Sequence, residues 1–419
     1  MNRFSKILLL GVLTFYVGQT SAQLSTSQLL GQRNVITTAV PFLMITPDAA
    51  SGAMGDVGVA TNPDENCMHW NPAKLAFMPH DGGISVSYTP WLRSLVPDIS
   101  LSYLSGYYKI DKLSGFGASL RYFSLGDIQF TDNYGNDLKQ YRPYEFATDL
   151  GYARKLSDNF SIGVAGRFIY SDLAGKTPIG NGSSSTQPAI GFGGDISGYY
   201  TKAMKVSGYN ANLGLGFDIS NLGPKITYTN DASRDYIPIN MRVGGYFNFH
   251  IDDYNELAIA LDLNKLLVPT PPAYKLDQYG NPILDPVSGQ PELSAGMDPN
   301  RPVLQGIFTS FYDAPGGLSE EIKEINPSVG LEYWYDKQVA GRMGYFYEAV
   351  QKGGRQYLTL GGGVRYNILT LDFSYLITTN GQNTTQRNPL DNTLRFTLAL
   401  HFDKKKKSDK EPNNNGGGR

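Results

Sequence analysis

The sequence predicts an all-β fold: a fourteen-stranded antiparallel transmembrane β-barrel with an N-terminal plug segment inside its lumen. Three observations carry this. From Ile84 onward, apolar and polar residues alternate with a period of two, the pattern of strands with one apolar and one polar face. The connections between these segments are short and long in turn, as in outer-membrane barrels. Charged residues are only 18% of the chain while Gly (47), Tyr (28) and Phe (20) are abundant, which suits a membrane barrel better than a soluble enzyme. A net charge of −2 gives no basic footprint for nucleic acid, and Cys67 stands alone, so no disulfide forms within the chain.

Residues 1–22 read as a secretory signal peptide, with Arg3 and Lys6 at the positive end, an apolar core from Ile7 to Val17, and Thr20-Ser21-Ala22 as the cleavage site. That core is well short of the ~20 residues a membrane-spanning helix needs. Residues 23–82 form the lead-in and plug. The lead-in is polar. Between Asn34 and Phe77 small residues dominate (Ala49, Ala50, Ser51, Gly52, Ala53, Gly55, Gly58 and Ala60), and they let backbone approach backbone. Pro41, Pro47, Pro63 and Pro72 cut the stretch into pieces too short for one long helix. A compact insert threaded through a larger container has this composition.

The container spans residues 83–403. Its fourteen segments are 83–89, 97–110, 113–124, 143–154, 158–170, 189–200, 209–220, 237–250, 254–266, 326–335, 338–348, 355–367, 369–379 and 392–403. The even-numbered connections are short: Asp111-Lys112, Lys155 to Ser157, Thr201 to Gly208, Ile251 to Asp253, Asp336-Lys337 and Ile368. The odd ones are mostly long, as at 125–142, 171–188, 221–236 and 267–325. An even strand count with short turns on one side places both ends of the chain in the periplasm and the long loops outside the cell. The same parity sets the plug at the periplasmic entrance. Residues 404–419, with their lysine run and Asn/Gly end, read as a disordered periplasmic tail.

Outward faces carry Leu, Ile, Val, Phe and Tyr, suited to outer-membrane lipid. Tyr103, Tyr107, Tyr108, Tyr122, Tyr152, Tyr199, Tyr200, Tyr333, Trp334 and Tyr335 suit the aromatic girdles at the membrane interfaces. The inward faces carry six cations and six carboxylates: Arg121, Asp149, Arg167, Asp195, Asp218, Arg242, Asp262, Glu332, Arg342, Arg365, Asp372 and Arg395. These charges fit either a conduction path or an ion-pair network bracing a filled barrel. The balance of signs favours the network, because a selective pore shows one sign in excess.

The connection 267–325 is the longest. Its first part is proline-rich and extended. Val303, Leu304, Ile307, Phe308, Phe311 and Tyr312 then form an apolar stretch with a short helix, and Leu318 to Lys323 make another turn. It is either a lid over its own barrel or a protein-binding element.

No chemistry of catalysis stands out. Four His and one Cys show no metal-ligand spacing, and no nucleophile elbow, P-loop or dinucleotide fingerprint stands in a fitting context. Gly361-Gly362-Gly363 lies inside a strand and eases packing or twist. Neither a cofactor nor enzymatic activity is expected.

The plug stretch also carries a resemblance. Pro41-Phe42-Leu43, Pro47-Asp48-Ala49, Gly52-Ala53-Met54-Gly55-Asp56-Val57-Gly58-Val59-Ala60-Thr61 and Trp70-Asn71-Pro72-Ala73-Lys74 resemble the N-terminus of the PorV family of the Bacteroidetes type IX secretion system. Tyr88-Thr89-Pro90-Trp91-Leu92 and Asp98 to Tyr103 continue the likeness, which spans essentially the whole mature chain. That family is in turn similar to FadL-type transporters. The resemblance implies a protein that binds the C-terminal signal domains of exported cargo and shuttles them from the translocon channel to a surface attachment complex. The alternative is a FadL-like transporter of fatty acids or other hydrophobic small molecules.

Overall fold

The computed structural model describes residues 33–92, 98–131, 137–175, 178–179, 184–229, 234–379 and 390–403. The expected signal peptide, nearly all of the lead-in and the tail 404–419 lie outside the described residues.

Fourteen strands close into one antiparallel barrel, each paired with its neighbours in sequence. They are β1 (Gly82–Pro90), β2 (Ser100–Lys109), β3 (Ser114–Ser124), β4 (Tyr144–Lys155), β5 (Phe160–Asp172), β6 (Ala189–Val206) and β7 (Tyr209–Leu222). The second half comprises β8 (Asn240–His250), β9 (Asn255–Leu266), β10 (Asn326–Tyr335), β11 (Val339–Tyr347), β12 (Gln356–Tyr366), β13 (Leu369–Thr378) and β14 (Thr393–Phe402). Closure runs through Gly82 opposite Phe402 and Tyr88 opposite Phe396, which leaves the barrel itself without an open edge. The alternation read from the sequence is the alternation of faces. On β1, Ile84, Val86 and Tyr88 point out and are exposed, while Ser85, Ser87 and Thr89 are buried.

Two expectations about the strands change. Thr201 to Gly208 is not a loop: β6 and β7 stay paired to Val206 opposite Tyr209. Only Ser207 and Gly208 remain, both at positive φ (50° and 90°), as a tight two-residue hairpin requires. Polar side chains such as Lys202 and Lys205 made a ladder read as a loop. The aromatic girdle also loses members, because Tyr103, Tyr107 and Tyr199 fall on the inward phase of their strands and are buried. Trp334 likewise turns inward, between the guanidinium groups of Arg342 and Arg365 at 5.3 and 4.7 Å.

The N-terminal segment is not confined to the short-turn entrance. It begins at the long-loop end, where the Asn34 amide donates to Gln351 O at 2.8 Å and the Ala39 amide to Tyr236 O at 2.9 Å. A 3-10 turn (Pro41–Met44), helix α1 (Ala49–Ala53), helix α2 (Cys67–Trp70) and a second 3-10 turn (Pro72–Phe77) follow down the lumen. It leaves at the short-turn end, where the Asp81 amide donates to Asp403 Oδ1 at 3.1 Å. Described chain therefore starts at one end of the barrel and finishes at the other.

Inward-facing glycines seat this segment. A Cβ at Gly344 of β11 would lie 2.0 Å from the Met54 carbonyl carbon, and one at Gly163 of β5 would lie 2.4 Å from the Ala73 nitrogen. Gly361 similarly faces the Ala53 side chain. Gly344→Ala should therefore destabilise the protein by about 1–3 kcal/mol, the usual overpacking cost. Gly341→Ala, where no atom lies within 4 Å of the added carbon, should not. Thermal unfolding in detergent, read by heat-dependent gel mobility, compares the two; equal midpoints would count against the seating.

Candidate functional site

The described lumen is occupied by the segment, and the wall meets it largely through the segment's backbone. Asp262 of β9 accepts from the Gly58 and Val59 amides at 2.8 and 3.0 Å. Thr359 of β12 accepts from the Gly55 amide at 2.8 Å and donates to Ala53 O at 2.9 Å. Thr397 of β14 accepts from the Ala49 amide at 2.9 Å. Arg121 of β3 donates to Leu43 O at 2.5 Å and meets His69 Nδ1 at 2.6 Å. Arg242 of β8 donates to His69 O at 3.0 Å, with its guanidinium 4.9 Å from the Trp70 ring centre.

The motif residues hold the segment to itself. Asp48 caps α1 through the Ser51 amide and accepts from Trp70 Nε1 at 2.7 Å. Gly58 packs so closely on the Trp70 ring that a Cβ there would overlap it at 2.2 Å. Asn71 donates to Val59 O and Gly198 O, and Asn71 Oδ1 accepts from the Ala73 amide just past Pro72. Pro41 opens the first turn, whose Phe42 stacks on Phe123 at 6.3 Å. Pro47 is buried, and Gly52 lies against the Arg395 side chain. Gly55 and Asp56 both take positive φ, at 72° and 63°.

Of the twelve inward charges, six pair with one another. Arg167 bridges Asp149 (2.5 Å) and Asp195 (3.0 Å), while Arg342 bridges Glu332 (2.7 Å) and Asp372 (2.6 Å). Arg395 pairs with Asp56 of the segment at 3.8 Å, and Tyr357 donates to the same carboxylate. Arg121, Arg242 and Asp262 bind the segment as described. Asp218 is fully buried opposite Arg242 in the β7–β8 register, and Arg365 is exposed beside Trp334. The charges thus divide between bracing the wall and gripping the insert. Lys74, which carries no sequence signal of its own beyond the motif, is also fully buried and donates to Gly58 O and Thr61 Oγ1 at 3.0 Å each.

At the long-loop end, connection 267–325 forms helix α3 (Val303–Thr309) and helix α4 (Leu318–Lys323). Val303 and Ile307 pack on the apolar cluster that contains Tyr236, Ile237, Leu267 and Val268. Leu304, Phe308, Phe311 and Tyr312 are exposed. A buried charge cluster that the sequence did not reveal fixes the loop: Lys265 with Glu321 (3.1 Å) and Glu324 (2.6 Å), and Lys352 with Glu320 (2.5 Å) and Glu324 (2.8 Å). Asn34 joins it by donating to Glu320 at 2.8 Å, so the segment and two loops share one network. Burial works to raise the Glu324 carboxyl, but the Lys352 and Lys265 ammonium groups outweigh it and hold the group below the ordinary glutamate value. Its stabilising contribution is present above the unfolded-state pKa and is lost as pH falls through the lowered folded-state pKa. Glu321 is pushed up instead, first by its burial.

Beside this network lies a cavity of about 390 Å³ bordered by Val35, Ile36, Pro41, Met44, Lys352 and Arg355. A smaller cavity of about 80 Å³ below it shares Met44, Leu266, Asn326 and Arg355. Among the described residues, no cluster of His, Cys, Asp or Glu is arranged to hold a metal ion.

A closed fourteen-strand barrel with an apolar outer wall and a polar inner one defines an outer-membrane β-barrel protein. The family model described as Type IX secretion system protein PorV matches residues 28–273. The chain belongs to that family, and is an outer-membrane component of type IX secretion. No curated protein matches it. Among solved structures, the Pseudomonas putida toluene transporter TodX is similar at 13% identity and a TM-score of 0.48, over 85% of this chain and 96% of that one. The Ralstonia pickettii toluene transporter TbuX is similar at 12% identity and 0.46, over 85% and 98%. A Pseudomonas aeruginosa FadL homologue follows at 12% and 0.43, over 88% and 99%. At these identities the likeness is one of fold, and no activity is carried across.

Lys352→Met leaves Glu320 and Glu324 each short of a cation, which costs about 3–5 kcal/mol when a buried pair is broken. Amide exchange should quicken around α4 and Val350–Lys352 while the strands stay protected. Unchanged exchange at α4 would remove the cluster from the account.

Proposed function

We propose that this protein receives exported cargo through the cargo's C-terminal signal domain at the long-loop end of the barrel, facing the cell exterior. It then carries the cargo from the type IX translocon channel to the surface attachment complex. The family match over residues 28–273 carries this reading. The long-loop end supports it physically: α3 turns Val303 and Ile307 inward as anchors and presents Leu304 and Phe308 at 71% and 69% exposure, with Phe311 and Tyr312 beside them. Exposed apolar side chains on an anchored element are the usual form of a protein-docking surface. The filled lumen supports a carrier over a conduit, since the segment is hydrogen-bonded to both sides of the barrel. In this reading residues 34–77 are a structural plug, and the inward charges are its bracing.

A transporter of fatty acids or other hydrophobic small molecules is the second reading. One observation favours it, the cavity of about 390 Å³ at the long-loop end, a size that suits a small ligand. Four ionisable residues on its border, Glu324, Glu348, Lys352 and Arg355, fit an apolar guest poorly.

Affinity purification from outer membranes separates the two. A shuttle retains secreted proteins through their C-terminal domains. A transporter yields lipid alone, with cargo export intact after gene deletion. Leu304→Asp combined with Phe308→Asp should leave the barrel assembled and weaken cargo retention by roughly 30-fold or more, the equivalent of about 2 kcal/mol for one interface anchor. Retention equal to wild type would move the docking surface elsewhere.

A further inference from the structure

Helix α4 is built inside out. Glu320 and Glu321, and Glu324 immediately after it, are buried, whereas Leu318 and Ile322 are 74% and 59% exposed. A helix bordered by water does the reverse. The acidic face is fully used by protein. Glu320 accepts from Asn34, Lys352 and the Gly316 amide; Glu321 from the Ala314 amide and Lys265; and Glu324 from Thr270, Lys352 and Lys265. Each of the six carboxylate oxygens thus has a partner, and none depends on solvent.

The position of α4 indicates what its apolar face meets. On β9, Asp262 and Asn264 face the lumen while Leu261 and Leu263 are exposed on the outer wall. Lys265 follows the outward phase but is buried, and its ammonium reaches Glu321 and Glu324 at the rim. The Phe311 ring lies 5.7 Å from it. On the adjoining strand Val329 is exposed on the same wall, and Ile325, next to the start of β10, is exposed as well. An apolar exposed row therefore runs from the lipid belt at Leu261, Leu263 and Val329 through Ile325 into Ile322 and Leu318.

We propose that α4 rests on the membrane leaflet at the long-loop end, with Leu318, Ile322 and Ile325 seated among lipid chains at the headgroup boundary. It is an interfacial anchor. It fixes the long loop to the barrel wall. The inference depends on the outer-membrane reading of the barrel and not on which cargo is bound. Continuity with the lipid belt assigns the occupant, because the same bilayer that covers Leu263 and Val329 reaches the next residues of the row.

The test uses the full-length protein in lipid nanodiscs. Cys67, the chain's one cysteine, is fully buried, so single-cysteine variants take an environment-sensitive maleimide dye at the chosen site. Labels at Leu318→Cys and Ile322→Cys are compared with Leu263→Cys in the lipid belt and Tyr279→Cys at an exposed loop tip. Brominated lipid chains should quench the dye at positions 318, 322 and 263, with iodide quenching only at 279. Heat-dependent gel mobility confirms that each variant is folded. Iodide quenching at 318 and 322 equal to that at 279 would overturn the proposal. So would protection from both quenchers, which would mean that protein covers the helix. If bromolipid fails at 263 as well, the outer-membrane reading itself is wrong, and the two failures are thereby told apart.

Discussion

A peptide threaded through a membrane barrel has little water to satisfy its backbone, so its N–H and C=O groups must be met by the wall or by itself. That requirement organises this molecule. Asp262, Thr359 and Thr397 place short polar side chains against the amides of Gly58, Val59, Gly55 and Ala49. Arg121 and Arg242 reach the carbonyls that run the other way. The small residues of the segment and the inward glycines of the strands follow from the same need, since hydrogen bonds of this length require backbone and wall to approach without intervening side chains. The apolar belt outside and the two wall ion-pair triads serve as a frame for this packing.

The arrangement has a consequence at the long-loop end. Asn34 ties the head of the segment to Glu320, and through Lys352 and Glu324 to Lys265 on the barrel wall. Loop, insert and strand therefore share one buried network, in which loss of Lys352 leaves Glu320 without its cation and loss of Lys265 does the same to Glu321. The α3 surface proposed for docking is thereby held on a rigid base, which would lower the ordering cost of binding. Rigidity at the rim and occupancy of the lumen come from the same set of bonds.

Much of this was legible in the chain. A period-two pattern fixes strand phase, and phase alone decides which side chains face lipid, so the outward placement of Ile84 and Val86 follows from the alternation. The alternation supplies the strand count, and loop parity agrees with it. The pattern misleads where polar residues continue a ladder, as in β6 up to Val206. Residue type alone also misleads at tyrosines such as Tyr103, whose strand phase turns them inward. The twelve inward charges were visible, but their partners were not, because Asp262 and Arg121 pair with backbone groups that carry no sequence signature. Lys265 and Lys352 escaped notice for a related reason: their acidic partners lie more than 25 positions away, beyond local periodicity. Nor does composition say which end of the barrel a threaded segment enters first.

The direction of threading puts the head of the insert among the long loops, and the shared network at that end follows from it. Single cysteines at Val35, at Tyr279 in the long loop and at Lys112 in a short turn can be probed in intact cells with a membrane-impermeant maleimide. Positions 35 and 279 should react from outside, and 112 only after the outer membrane is permeabilised. Labelling of position 35 together with 112 would contradict this direction of threading.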